Sequence, residues 1–342
     1  MQTRVITVQA DAIDPEAIRQ AADILRRGGL VAFPTETVYG IGANALDAEA
    51  AQAIFNAKGR PAKNPLIVHI ANVEAAQKIA SHWPAEAQKL AERFWPGPLT
   101  LVVPKKPCVP ATVTAGGPTV ALRVPAHPVA QALLNAVDFP IAAPSANRSS
   151  RLSPTEASHV LRDLTGIVPL VIDAGPTTKG LESTVIDLSV ATPRLLRPGM
   201  ISPEAIEEVL HLKLERLPKL KSSDDGPMLS PGMIEKHYSP YTPLELTESN
   251  EIGRHRVEEL VRGGGQRVGW VPLGNREAFA PSAKVIVMPL PLDPNIYALK
   301  FYATLHILDL LQPTRIIVTL PPDEPAWLAV RDRLLRASST GS

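Results

Sequence analysis

Short apolar runs separated by amphipathic stretches restrict this chain more than any other feature, because they commit its first two hundred residues to strands alternating with helices. LIVHI (66–70), LTLVV (99–103), VALRV (120–124), PIAA (140–143), LVID (170–173) and STVIDL (183–188) are too short for buried helices, and GLVAFPT (29–35) has the same character. Asp14-Pro15 opens a helix that puts Ile18, Ala21, Ala22 and Leu25 on one face and closes at Gly28-Gly29. A short helix around 48–57 ends at Lys58-Gly59-Arg60. Ser153-Pro154-Thr155-Glu156 has capping-box spacing and predicts a helix from about 154 to 164, and Ser202-Pro203 starts another. Pro15, Pro84, Pro128, Pro154 and Pro203 read as helix-start punctuation rather than a proline-rich tract. Helices do not separate every pair of strands, so residues 1–212 are expected to form a twisted, mixed α/β sheet rather than a regular parallel one.

The segment 213–243 changes character. Its Ser, Pro, Gly and charged residues read as a linker, yet Met233, His237, Tyr238 and Tyr241 are unusual in a passive tether. Residues 244–342 return to alternation: a helix near 251–262, VGWVP (268–272), VIVMPL (285–290), a helix near 294–311, RIIVTL (315–320) and a helix near 325–337. This pattern predicts a second, smaller three-layer α/β domain of Rossmann-like design. It carries no GxGxxG fingerprint, so the fold brings no dinucleotide with it.

Composition narrows the classes. With 342 residues, 45% hydrophobic and 20% charged, the chain can build two cores and is not a disordered polyampholyte. A formal net charge of +1 lacks the basic excess of a protein that grips phosphate backbones, so strong direct nucleic-acid binding is not expected. The single cysteine, Cys108, excludes an intramolecular disulfide and a cysteine-based zinc finger. The N-terminal MQTRVITVQADAIDP has no signal-peptide core, and no run approaches the roughly 18 apolar residues of a membrane helix. A soluble, cytoplasmic protein is the expectation.

Several side chains could carry chemistry, each beside a plainer reading. Lys58, Arg60 and Lys63 crowd into KGRPAKNP, which can hold phosphates or can be a solvated basic turn; it is not a Walker A loop. Arg123 lies on the face of its strand opposite Leu122 and Val124, and if that face is covered it needs an anion: a ligand carboxylate, or an Asp or Glu of the chain itself. His69 in LIVHIA is a core histidine or a ligand contact. Ala143-Pro144-Ser145-Ala146-Asn147-Arg148 ends an apolar strand with ordinary turn residues, at a position where α/β proteins often bind ligands. Ser153 is explained as an N-cap, although helix N-termini also bind anions. No Ser-His-Asp or Cys-His arrangement, HExxH or EF-hand loop is defensible.

Taken in order, PTETVYGIGANA, KGRPAKNPLIVHI, FWPGPLTLVV, VALRVPAHP, PIAAPSANRSS, LSPT, DAGPTTKGLESTVID, RLLRPG and PGMIEKHYSPYTP resemble the threonylcarbamoyl-AMP synthase family over about residues 15–243. The resemblance is to the long form: a YrdC-like catalytic domain, a linker and an extra C-terminal domain; the linker and second domain are expected to act as a lid. It implies a nucleotidyltransferase that joins L-threonine, bicarbonate and ATP, with Mg2+ on the phosphates, and passes its product to the tRNA threonylcarbamoyl-transfer machinery. By the same resemblance Lys58, Arg60, Ser145 and Asn147 form the catalytic set, and with Asn64, Thr119, Ser153, Arg197 and Tyr238 they contact ATP. Thr35, His69, Arg123, Ala143 and Ser183 contact threonine. Ser150 and the Ala174 of DAGP each replace a common Gly, at positions with no implied ligand contact. Related carbamoyl-adenylating enzymes usually add zinc fingers to the YrdC-like unit, which one cysteine does not allow.

Overall fold

The computed structural model describes residues 2–216, 237–264, 266–274 and 284–338. The chain divides into two compact units. The first comprises 1–149, 154–178 and 182–234; the second comprises 150–153, 179–181 and 235–342. Of the segment read as a linker, Met233 lies outside the described residues, residues 213–216 belong to the first unit, and His237, Tyr238 and Tyr241 belong to the second.

The strands of the first unit are β1 (Arg4–Thr7), β2 (Val31–Phe33), β3 (Gly40–Asn44), β4 (Ile67–His69), β5 (Leu99–Pro104), β6 (Thr119–Arg123), β7 (Ile141–Ala142), β8 (Leu170–Asp173), β9 (Thr184–Asp187), β10 (Arg194–Arg197) and β11 (Glu215–Arg216). They form one sheet in the order β1-β8-β2-β3-β7-β4-β6-β5-β9-β10-β11. The sheet is mixed, as expected: β4 runs parallel to β6, whereas β7 is antiparallel to both β3 and β4 and β5 is antiparallel to β6. Its helices are α1 (Pro15–Arg26), α2 (Ala48–Lys58), α3 (Val73–Ile79), α4 (Ala85–Phe94), α5 (Ala111–Thr114), α6 (Pro128–Ala136), α7 (Ala157–Leu164) and α8 (Pro203–Leu210).

Local signals explain most of these boundaries. The Asp14 carboxylate accepts the Glu16 N–H at 2.9 Å and Pro15 occupies the first turn, so α1 starts where its sequence places it. Its Ile18, Ala21, Ala22 and Leu25 are buried with Phe33 of β2, Leu133 of α6, and Leu170 and Ile172 of β8, which forms the main core. Each such large side chain contributes about 1.5–3 kcal/mol by leaving water. Helix α2 ends on Gly59, whose φ of 60° is the left-handed cap that glycine takes at least cost.

The capping box at 153–156 does not form. Helix α7 begins at Ala157, with Glu156 as a cap whose side chain accepts no backbone N–H of the first turn. The Pro154 carbonyl accepts the Tyr39 N–H at 2.8 Å, and the Thr155 N–H goes to His159 Nδ1 at 3.2 Å. Both groups are thereby drawn away from helical partners, and Ser153 is not a cap.

The second unit holds β12 (Leu244–Thr247), β13 (Val268–Val271), β14 (Val285–Val287) and β15 (Arg315–Thr319), with α9 (Asn250–Gly264), α10 (Pro294–Leu311) and α11 (Leu328–Ser338). The sheet is fully parallel in the order β12-β15-β13-β14. Trp270 packs with Val257 of α9, while a Cβ on neighbouring Gly269 would meet Leu308 of α10 at 3.0 Å. Adjacent strand residues face opposite sides, so α9 and α10 cover opposite faces and the expected three-layer design is present. Among the described residues no helix is long and apolar enough to cross a membrane.

Candidate functional site

Parallel pairing of β4 with β6 makes His69 and Arg123 register partners. The Arg123 side chain is 4% exposed, and a guanidinium so deeply buried needs acceptors. Its Nη2 donates to Glu36 Oε1 at 2.6 Å, Nη1 to Thr37 Oγ1 at 3.0 Å and Nε to the Gly97 carbonyl at 3.2 Å. Thr37 Oγ1 lies 2.8 Å from Thr35 Oγ1, and the Thr35 hydroxyl donates to the Val38 carbonyl at 2.6 Å. Thr35 Oγ1 also accepts the Thr37 and Val38 N–H groups, so PTET folds as a closed turn on the guanidinium. His69 Nδ1 is buried and has no hydrogen-bond partner among the described residues. Burial, reinforced by the Arg123 charge, holds the His69 ring down to about 3, so it is neutral at pH 7.

A second cluster centres on Lys58, the last residue of α2 and only 2% exposed. Its Nζ donates to the Ser145 carbonyl at 2.6 Å and to the Asn147 carbonyl, with Asn147 Oδ1 at 3.4 Å. Ser145 Oγ donates to Asn147 Oδ1 at 2.5 Å, and the Ser149 N–H returns to the Lys58 carbonyl at 2.8 Å. Desolvation, then the Arg60 charge, pushes the Lys58 ammonium well below the usual lysine range, opposed by Asp163. Asp163 Oδ2 also accepts the Arg148 N–H at 2.9 Å, which ties α7 to the end of the same loop. Arg60 binds Asn64 Oδ1 at 2.6 Å and the Asn64 and Pro65 carbonyls, and this leaves Asn64 Nδ2 buried without a partner among the described residues.

A third cluster joins Ser183 and Arg197. Arg197 Nη2 donates to Ser183 Oγ at 3.1 Å, and its Nε and Nη2 both reach the Ser183 carbonyl. Ser183 Oγ lies 2.7 Å from Thr100 Oγ1. Backbone links the three clusters. Gly97 accepts from Arg123 while adjacent Pro98 accepts the Thr184 N–H, and Gly40 pairs with Ser145 just beyond the PTET turn. Ala143 is buried, and its N–H donates to the Ile67 carbonyl at 2.9 Å.

The sheet therefore gathers Thr35, His69, Arg123 and Ala143, the Lys58–Ser145–Asn147 set, Arg60 with Asn64, and Ser183 with Arg197. Thr119 stands apart. It opens β6 opposite Pro104, four residues and about 13 Å of strand from Arg123. Ser153 and Tyr238 belong to the second unit; there Ser239 N–H donates to the Ser150 carbonyl at 2.9 Å, and Arg333 lies over the Tyr238 ring at 5.0 Å. Sequence reasoning did not single out Glu36, Thr37, Thr100 or Asp163. Glu36 carries a usable signal, as the only charged residue between Arg27 and Asp47.

Comparison with known proteins places the chain in a family. A family model for Sua5, YciO and YrdC proteins, described as "Telomere recombination", matches residues 23–199, and one described as "Threonylcarbamoyl-AMP synthase, C-terminal domain" matches 201–339. The chain is 42% identical over 336 residues to a threonylcarbamoyl-AMP synthase of Bacillus subtilis, covering 97% of this chain and 96% of that one. It is 47% identical over 281 residues to a threonylcarbamoyl-AMP synthase of Pyrococcus abyssi, covering 81% and 82%. A crystal structure of the P. abyssi Sua5 protein complexed with L-threonine superposes with a TM-score of 0.90 at 42% identity, over 98% of each chain. The chain belongs to the threonylcarbamoyl-AMP synthase family, in the long form that carries the additional C-terminal domain.

Proposed function

We propose that this chain makes threonylcarbamoyl-AMP from L-threonine, bicarbonate and ATP, as a nucleotidyltransferase that releases pyrophosphate and water and supplies tRNA threonylcarbamoyladenosine modification in the cytoplasm. The observation that carries this reading is the neighbourhood of two differently built clusters in one sheet. One is a buried guanidinium beside a neutral imidazole, suited to an amino-acid carboxylate; the other is a cationic loop at Lys58 and Arg60, suited to phosphates.

In this reading the amine of threonine adds to bicarbonate-derived carbon to give a carbamate and water. A carbamate oxygen then attacks the α-phosphorus of ATP, and the bond to pyrophosphate breaks. Neither step needs a protein nucleophile; both need the reactants held together where charge is balanced. Arg123 holds the threonine carboxylate, with Thr35, His69, Ala143 and Ser183 around the amino acid. A buried acceptor for its hydroxyl would disfavour valine, which cannot satisfy it. Lys58, Arg60, Ser145 and Asn147 form the centre on the phosphates, with Asn64, Thr119 and Arg197 along the nucleotide. Ser153 and Tyr238 are assigned to ATP on the resemblance alone.

Among the described residues no group of three or more His, Cys, Asp or Glu side chains is arranged to hold a metal ion. Magnesium therefore enters this reading as part of the ATP complex, held by phosphate oxygens and water. Pyrophosphate release, measured with and without threonine and bicarbonate, tests the whole proposal. Release that depends on both supports it, and release indifferent to threonine overturns it.

A further inference from the structure

Glu36 and Arg123 form a buried ion pair in which both carboxylate oxygens are used. Oε1 accepts Arg123 Nη2 at 2.6 Å, and Oε2 accepts the Ala126 N–H at 3.1 Å, with the two side chains 6% and 4% exposed. The carboxylate is thus pinned between the guanidinium and the backbone just after β6, and cannot swing away. Of the five N–H donors of Arg123, three go to Glu36, Thr37 and Gly97. Among the described residues one N–H on each terminal nitrogen has no further acceptor, and such a pair suits the two oxygens of a single carboxylate.

The geometry points to Glu36 as a positioning residue for the substrate carboxylate, acting through Arg123. This inference rests on the threonine-binding role proposed for Arg123. Glu36 does two things there. It fixes the rotation of the guanidinium, together with Thr37 and Gly97, so that the same two N–H groups are always presented. It also neutralises a buried cation when no substrate is bound, which avoids the cost of an unpaired charge in the resting protein. The Thr37–Thr35–Val38 chain supports the same rotation, since each hydroxyl accepts from one neighbour and donates to the next.

The test is Glu36→Gln in the full chain. A glutamine keeps the shape, but its NH2 must face either the guanidinium or the Ala126 N–H, and both are donors. Losing one hydrogen bond to a charged group, the variant should raise the KM for L-threonine by about 10-fold to 100-fold. The KM for ATP and the kcat at saturating threonine should stay within about threefold, since the positioned group acts on binding of one substrate alone. L-Threoninol, which has no carboxylate, should inhibit wild type and variant equally. Combining Glu36→Gln with Arg123→Lys should add little to the Arg123→Lys penalty, because both act on one interaction. If Glu36→Gln does not fold by circular dichroism, Glu36→Asp is the reading variant: the charge remains but cannot span both partners, and threonine KM alone should rise. An unchanged threonine KM, equal losses for ATP and threonine, or a threoninol penalty as large as that for threonine overturns the inference. Absence of threonine-dependent pyrophosphate release in the wild type would instead overturn the functional reading beneath it.

Discussion

The Lys58 ammonium donates to the Ser145 backbone carbonyl at 2.6 Å, across 87 residues of sequence. The Asn147 carbonyl and, at 3.4 Å, its Oδ1 are also within reach of the same ammonium. The lysine at the end of α2 thus shapes the loop that carries the other half of the proposed phosphate site.

Replacing Lys58 by Ala should therefore cost both stability and turnover. Buried carbonyls that lose a charged donor cost about 1–3 kcal/mol, readable as a lower urea midpoint. Pyrophosphate release should fall by about 10-fold or more, equivalent to 1.4 kcal/mol of barrier per decade. L-threonine binding by calorimetry should be nearly intact. Unchanged turnover would remove this lysine from the mechanism.

Arg123→Ala should separate the two substrates. Threonine affinity should drop by about 2–5 kcal/mol while ATP affinity changes little. The variant should also be less stable, because Glu36 is left buried beside an empty space. Parallel loss of both ligands would indicate a folding defect and not a binding role.

Ser183→Ala removes the oxygen shared by Thr100 Oγ1 and Arg197 Nη2. Thr100 is fully buried, so its hydroxyl would be stranded, at about 1–3 kcal/mol. Chemical denaturation should register that loss, and a wild-type midpoint would mean that Thr100 finds another partner.

Gly199→Ala tests how tightly the turn after β10 packs on the start of β9. A Cβ at Gly199 would sit 2.3 Å from the Thr184 nitrogen, 2.5 Å from the Ser183 carbonyl carbon and 2.7 Å from the Glu182 oxygen, all backbone atoms. Backbone cannot rotate aside as a side chain can. The substitution should destabilise by about 1–3 kcal/mol and weaken catalysis through the displaced Ser183. Thermal unfolding together with pyrophosphate release reads both effects.

Acid should unfold the chain through its buried histidines. Burial, with help from Arg162, holds the His159 ring down to about 4, and His69 is held at about 3, against an ordinary value of 6.5. Between these values and 6.5 the unfolded chain binds more protons, so stability is complete above about pH 6.5 and is lost as pH falls toward 4. Each histidine contributes a slope of about 1.4 kcal/mol per pH unit in that window. His159→Gln should remove its share from urea-unfolding curves taken between pH 4 and 7; an unaltered slope would show that His159 is not a source.

Much of the architecture was legible without coordinates. The helix-start prolines at 15, 128 and 203 and the apolar face of α1 act through backbone geometry within one or two turns, so local sequence suffices. The capping box at 153–156 shows the limit. Its local chemistry was correct, but the Pro154 carbonyl is taken by Tyr39 N–H, from a segment more than a hundred residues earlier. The family resemblance named Arg123, Lys58, Ser183 and most of their neighbours in these clusters, yet not the contacts among them.

By itself the sequence determined many of the strands and the proline-started helices at 15, 128 and 203, and that a lone Arg123 between Lys106 and Asp138 needs an anion if its face of the strand is covered. Only the tertiary structure decided that the anion within the chain is Glu36, 87 residues away. The sheet places β3, β7, β4 and β6 side by side out of sequence order, so partners are set by long-range strand pairing. No local preference encodes that pairing, because its free energy appears only once distant strands have been brought together and their loop entropy has been offset.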